Sequence, residues 1–178
     1  MINVGTKLLE TERLILRRFR ECDALELYNG FINQDEYLYY FNKSKRTLEE
    51  EKKSLMGIDD KYKDDYYNWV IVLKSNNAII GRANLMVEEY NECVEVNYAI
   101  DNRYIQNGYM TEALKRIIKF CFEEMKINRF ESCCVIENIA SRRVMEKCNM
   151  KEEGIRRKYV KLNDGYHDMY MYSIIKND

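Results

Sequence analysis

The chain has 178 residues, 46% of them hydrophobic, and its 29 basic and 30 acidic side chains leave a formal charge of −1. That length and apolar content suit a single domain, residues 1–178, with a substantial core, and exclude a chain disordered by composition. The charge balance argues against broad binding to nucleic acid or a membrane surface, which needs a net or clustered basic field, and no apolar run is long enough to span a membrane.

In chain order, MINVGTKLLETERL lacks the basic-then-apolar layout of a secretion signal, so a soluble, cytoplasmic protein is expected. ERLILRRF, from Glu12 to Phe19, alternates apolar and charged residues, the period of a half-buried strand. Leu25, Tyr28, Phe31 and Ile32 fall at helical spacing after Asp23, the expected N-cap. A second helix is expected from Thr47 to about Tyr62, with Glu50 as the capping-box partner of Thr47. Asn68 to Asp101 reads as a three-stranded antiparallel meander, with turns at Ser75-Asn76-Asn77 and Glu88 to Glu92. After Gly108, Met110, Ala113, Leu114, Ile117, Ile118, Cys121, Phe122 and Met125 mark the apolar face of the clearest helix. RFESCCVIE is another strand. Asn138 caps a shorter helix to about Cys148, which Asn149 ends in the left-handed conformation. GIRRKYVKL and HDMYMYSII form a closing hairpin around Asn163-Asp164-Gly165. This order predicts an α/β (α+β) fold with a mixed, mostly antiparallel central sheet flanked by helices.

Six cysteines show no C-x-x-C spacing, and there is one histidine, so no metal site is expected and the thiols read as reduced and mostly buried. Adjacent Cys133 and Cys134 would face opposite sides of their strand. His167, at a strand start, reads as a surface or packing residue, and KSKRTLEEEKK as a solvated helix face.

The segment Gln106-Asn107-Gly108-Tyr109-Met110-Thr111 joins a strand to a helix. The first N–H groups of a helix lack intrahelical partners, and its dipole places partial positive charge there. Gly108 lets the backbone approach a ligand closely, so the turn can hold an anion of the pyrophosphate kind. No G-K-[ST] follows and no G-x-G-x-x-G is present, and glycine-bearing turns are common, so spacing alone is a weak signal.

VEVNYAIDNRYIQNGYMTEAL resembles the central motif of the GNAT acyl-CoA N-acyltransferases, in the RimJ/RimL-like branch of ribosomal-protein-alanine acetyltransferases. LLETERLILRRF, ENIASRRVMEKCNMKEEGIRRKY and DGYHDMYMYSII resemble, in order, further segments of that branch, so the likeness runs from about Leu8 to Ile175. The resemblance implies the GNAT fold and an N-acetyltransferase using acetyl-CoA as co-substrate, by direct transfer in a ternary complex, with no metal. It implies that Gln106 to Thr111 hold the pyrophosphate, with backbone of Tyr98, Ala99 and Ile100, and Asn138, along the pantetheine. Gln106 and Met110 stand where glycine or alanine is usual. Glu95 matches the position of a general base, since only a neutral amine attacks a thioester. Met145 replaces the tyrosine that many relatives use to protonate the leaving thiolate; Ser141 is the candidate in its place, with Tyr98 and Tyr172 as further ones. By pattern alone, Glu95 reads as a solvated strand residue, Asn138 as an N-cap and Ser141 as a first-turn residue.

The resemblance implies a primary-amine acceptor, with the α-amino group of a (ribosomal) protein N-terminus suggested by the branch. A polyamine, amino acid or aminoglycoside is the alternative, because fold does not set substrate. A non-catalytic CoA-binding module is a further alternative. Tyrosines of YLYYF and DDYYNW are expected to line the acceptor cleft. No nucleic-acid or membrane partner is expected, and the chain is a monomer or homodimer.

Overall fold

The computed structural model describes residues 1–32, 35, 40, 45–63 and 65–178. Of YLYYF, Tyr40 alone is among them; the other residues of that run lie outside the described residues.

Period-two patterning yields one sheet from β1 (Leu9–Glu10), β2 (Leu14–Arg17), β3 (Asn68–Leu73), β4 (Ile79–Glu88), β5 (Cys93–Ile100), β6 (Arg129–Val135), β7 (Lys151–Leu162) and β8 (Gly165–Ile175). Their spatial order is β1-β2-β3-β4-β5-β6-β8-β7. Every neighbouring pair is antiparallel except β5–β6. The crossover between those two contains the long helix, which is why they run parallel. The mixed, mostly antiparallel sheet follows the expectation, as do the hairpin turns: Asn77 and Glu92 take positive φ (58° and 49°).

Helices cover both faces: α1 (Ala24–Leu27), α2 (Leu48–Leu55), α3 (Tyr109–Phe120) and α4 (Ile139–Lys147). On one face α3 buries Ala113, Leu114, Ile117 and Phe120 against Val94, Val96, Phe130 and Trp69. Fully burying one such large side chain contributes about 1.5–3 kcal/mol, so this cluster is the main core. On the other face Leu27, Phe31, Leu55 and Ile58 pack on Val70, Val72 and Ile79. The helix after Gly108 continues beyond Phe120 in a wider turn, Cys121–Met125, which Lys126 ends at φ 58°.

Several boundaries differ from the sequence pattern. The first strand is broken: Thr11 folds back on Leu14, accepting from its N–H at 3.0 Å, so Glu12 and Arg13 fall in a turn between β1 and β2. Asp23 does not cap a helix with its side chain. Its carboxylate turns back to accept from Arg20 N (2.8 Å) and from Arg17 (2.8 Å), and a short tight turn, Glu21–Asp23, precedes α1. Leu25 is 54% exposed, because the face that packs is Ala24, Leu27 and Phe31. The Thr47–Glu50 capping box is present, but α2 stops at Leu55, since Gly57 takes φ 63° and a separate tight turn, Ile58–Lys61, follows.

Gly81 on β4 links the core to the expected loop. A Cβ there would lie 3.0 Å from Ala99 O, 3.1 Å from Ile71 Cδ1 and 3.3 Å from Met110 Cε. The Met110 side chain therefore reaches into space that Gly81 leaves free. Gly81→Ala is expected to lower stability by about 1–3 kcal/mol through overpacking, since the backbone carbonyl cannot yield; chemical denaturation with an unchanged m-value checks it.

Candidate active site

β5 and β6 pair over three rungs, Cys93↔Arg129, Val94↔Phe130 and Glu95↔Glu131. Beyond them each strand stays with its outer neighbour: β5 with β4 as far as Ile100, and β6 with β8 as far as Val135↔Met169. The two strands therefore part. Ser132 Oγ donates to Val96 O at 3.0 Å across the opening, so Val96 presents its backbone to the gap. Strand alternation gives the same direction to the N–H and C=O groups of Tyr98 and Ile100. A cavity of about 700 Å³ fills this gap.

The loop entering α3 closes one end of the cavity. Gln106 and Gly108 both take left-handed backbone, φ 64° and φ 76°. A side chain is uncommon there, so the Gln106 position is one where glycine would be the natural occupant. Gly108 is the N-cap of α3, and the N–H groups of Tyr109, Met110 and Thr111 are its first-turn donors. Gln106, Gly108, Tyr109, Met110 and Thr111 all line the cavity. Asn107 does not: its Nδ2 donates to Ile105 O (2.9 Å) and Tyr104 O (3.2 Å), bracing the loop from outside.

Two residues that the sequence pattern did not single out hold this loop. The Arg13 guanidinium donates to Glu112 Oε2 (2.7 Å) and Asn107 O (3.2 Å), and stacks over the Tyr109 ring at 4.4 Å. Glu112 also accepts from Thr11 Oγ1 (2.6 Å) and Arg13 N (3.0 Å). Burial alone would raise the Glu112 carboxyl, but the hydrogen bonds from Thr11 and Arg13 outweigh it and hold its pKa below the usual range. The turn between β1 and β2 is thus bolted to the first turn of α3. The signal was faint, since the partners are 99 residues apart and Glu112 reads as one more charge on a polar helix face.

At the other side of the cavity, Asn138 Oδ1 accepts from Ser141 N at 3.0 Å, capping α4, and both residues line the gap. Ser141 Oγ lies 2.8 Å from Tyr98 Oη, and Tyr98 Oη also reaches Ser141 O at 3.2 Å. Burial pushes the Tyr98 phenol well above its ordinary pKa, so it stays protonated as a donor. Met145 is fully buried in the core. Tyr172 is engaged elsewhere: Glu152 accepts from its hydroxyl (3.0 Å), and Arg142 donates to it (3.1 Å).

Glu95 occupies the last paired rung and is outside the cavity lining. Its side chain is on the sheet face opposite Tyr98, since successive residues alternate. Burial raises its pKa, against the weak hydrogen bond that Cys133 Sγ donates at 3.6 Å. His167 pairs with Asp164 (2.9 Å) and Glu137 (3.5 Å) at the base of the closing hairpin. Four cysteines are buried, Cys133 is half-buried and Cys22 is exposed. Among the described residues no group of three or more His, Cys, Asp or Glu side chains is placed to hold a metal ion, and no helix is long and apolar enough to cross a membrane.

A parted pair of parallel strands, floored by backbone amides and closed by a helix N-terminus, offers hydrogen bonds along its length and an anion-binding end. Residues 13–151 match the acetyltransferase (GNAT) domain, and the chain belongs to the GNAT acetyltransferase family. The Bacillus subtilis (strain 168) protein named probable N-acetyltransferase YjcK is 30% identical over 135 residues, 74% of this chain and 75% of that one. A GNAT-family acetyltransferase from Bacillus anthracis superposes with a TM-score of 0.84 at 24% identity, covering 97% of this chain and all of that one. RimL, described as a ribosomal L7/L12 α-N-protein acetyltransferase in complex with coenzyme A, superposes with a TM-score of 0.77 at 21% identity over 97% of this chain and 100% of its own. The protein is an acetyl-CoA-dependent N-acetyltransferase.

Charge-assisted hydrogen bonds of the Arg13 kind contribute about 1.5–3 kcal/mol each. Arg13→Ala is expected to weaken acetyl-CoA binding about tenfold by loosening the loop, while Lys115→Ala, on the polar face of α3, leaves it unchanged; calorimetric titration of both variants measures this.

Proposed function

We propose that the chain transfers the acetyl group of acetyl-CoA directly to the α-amino group of a protein N-terminus, with the parted β5–β6 edge as the site of transfer. The observation that carries this reading is the coincidence in one cavity of free-edge backbone at Tyr98 and Ile100 with a left-handed loop at the N-terminus of α3. The loop amides from Gln106 to Thr111 hold the pyrophosphate, with Asn107 keeping the loop in shape. The Tyr98–Ile100 edge, Ala99 included, and Asn138 hold the pantetheine. Acetyl-CoA supplies the activated acyl group; the rest is done by the chain's side chains. Glu95 takes a proton from the incoming ammonium, through water, and its burial-raised pKa suits a base that must be basic enough to compete for it. Ser141 donates to the departing thiolate. On this reading Tyr98, whose Oη lies 2.8 Å from Ser141 Oγ, is the donor of that pair and leaves the serine proton free to point at the sulfur. The protein N-terminus is favoured by the likeness to RimL, itself described as an α-N-protein acetyltransferase. A small cationic amine would be favoured by two free carboxylates on the acceptor face, but Glu131 there is paired with Arg129 at 2.7 Å.

Acetyl-CoA binding by calorimetry tests the cradle. A side chain at Gly108 would begin 3.7 Å from Arg13 Nη2, ordinary contact, so Gly108→Asp adds left-handed strain of about 1–2 kcal/mol and a negative charge without a clash. Wild type is expected to bind and the folded variant to lose binding; equal binding by both would overturn the assignment of the loop.

The pH dependence tests the base. A raised folded-state pKa keeps Glu95 protonated to higher pH than an ordinary carboxylate. Thiol release at saturating acetyl-CoA is therefore expected to fall as pH drops through a value above the ordinary glutamate range. In Glu95→Gln this acid limb is expected to vanish, with the rate lowered about 10²-fold. An unchanged limb in the variant would exclude Glu95.

A further inference from the structure

The cavity at the parting is not confined to the gap between β5 and β6. Cross-strand partners share a sheet face, and so do alternate residues of one strand. By the pairs Met86↔Glu95, Asn84↔Asn97 and Arg82↔Ala99 on one side of the gap, and Glu95↔Glu131, Cys133↔Met171 and Val135↔Met169 on the other, Asn97, Ala99, Cys133, Val135 and Met169 stand on the face of Glu95. Val160 joins them through its partner His167, two residues from Met169 on β8. All six line the cavity, as do Tyr98 and Ser132 of the opposite face, so the cavity passes through the sheet. A cofactor lying along the gap needs groups on β5 and β6. It does not need Met169 and Val160, which belong to β8 and β7, the first and second strands beyond β6. The cavity therefore has a side branch over the Glu95 face.

Among the described residues, the side chains that line this branch carry no charge. Ala99, Val135, Val160 and Met169 are apolar, Asn97 is a neutral amide, and burial with the neighbouring Glu95 carboxylate pushes the Cys133 thiol up to about 12. The charges of the same face stand outside the lining and have partners: Glu131 pairs with Arg129 at 2.7 Å, Arg156 stacks over Tyr159 at 4.8 Å and Arg82 over Phe19 at 5.3 Å. Counting two residues on from the Glu95↔Glu131 pair brings Asn97 level with Cys133, and two more bring Ala99 level with Val135. The first level thus puts an amide and a thiol beside Glu95, and the second is apolar. Met169 and Val160 remain half-buried, so the chain's own packing leaves part of that wall to be covered.

We propose that this branch receives the side chain of the acceptor's first residue and selects one that is apolar and uncharged; the inference rests on the acceptor reading above. An amine at Glu95 has Asn97 about 6.8 Å further along the strand, the advance of two extended residues, where the amide meets the peptide group that follows the amine. The first side chain then falls against Val135 and Met169. An apolar one removes the exposed part of Met169 and Val160 from water, whereas a charged one gives up its hydration without gaining a partner. The same reasoning disfavours two small acceptors. With Glu95 taken by the reacting amine, a free amino acid would bring a carboxylate, and a diamine a second ammonium, into a space that offers no counterion.

Four otherwise identical peptides with a free N-terminus and valine, serine, lysine or aspartate first, and one linear diamine, test this by thiol release at saturating acetyl-CoA. The valine peptide is expected to exceed each of the other three about tenfold or more in kcat/KM, a discrimination within reach of one apolar pocket. Met169→Lys keeps the length of a half-buried side chain and adds a cation to the wall beside Arg156, its cross-strand partner. In that variant the ratio of aspartate-peptide to valine-peptide kcat/KM is expected to rise about tenfold or more, a ratio that loss of folded protein or of acetyl-CoA affinity does not move. Equal kcat/KM for the four peptides, or an unchanged ratio in Met169→Lys, would overturn the pocket and leave the acceptor reading standing. Turnover of the diamine and of none of the peptides would sink both.

Discussion

The proposed site depends on where two parallel strands stop pairing. β5 and β6 begin as a parallel pair and stop after three rungs, and beyond them β5 follows β4 and β6 follows β8. Antiparallel ladders are somewhat stronger per residue than parallel ones, so the parallel pair is the one to yield. An unpaired backbone group inside a protein costs about 1–3 kcal/mol. The opened edge is therefore a stored demand for hydrogen bonds. Ser132 answers it at Val96 with a side chain, and beyond that point an amide-bearing ligand can answer it.

The loop that closes the cradle departs from the glycine-rich composition usual in its family, and the departures are accommodated locally. Gln106 accepts a left-handed backbone, and Met110 reaches into the space beside Gly81. Three contacts from Arg13 and a cap at Gly108 then fix the direction in which the α3 amides point. Preorganised donors of this kind hold an anion without a reorganisation cost, which is the advantage of backbone over flexible side chains at a phosphate site.

The sheet, the α3 stripe and the closing hairpin were legible in the residue pattern because each is written in local periodicity. The parting of β5 from β6 was not, since nothing in CVEVNYAI marks where pairing stops; only the register with two other strands decides it. The same holds for Arg13 and Glu112, a pair made by tertiary proximity across 99 residues. Asp23 was misread for a related reason: an Asp before an apolar stripe looks like a cap, but a nearby arginine offered its carboxylate a stronger partner than a helix amide. Loop positions with positive φ other than glycine, such as Gln106, leave no compositional trace at all.

The proposed acid and the proposed base lie on opposite faces of the sheet, Ser141 in the first turn of α4, Glu95 on the face that the helix pair α1–α2 leaves open. In an unbroken sheet that arrangement would be useless, because backbone would separate them. On the proposed reading the parting makes it an asset: with the thioester in the gap, the amine would approach from one face and the thiolate depart toward the other. The two proton transfers then never compete for one space, and their environments differ in the required sense. Glu95 is half-buried with cations in the distance, which leaves it basic. Tyr98 is half-buried behind Ser141, and the burial of its phenol keeps it protonated. One break in one ladder thus separates the proposed proton acceptor from the proposed proton donor across the thickness of a single strand pair.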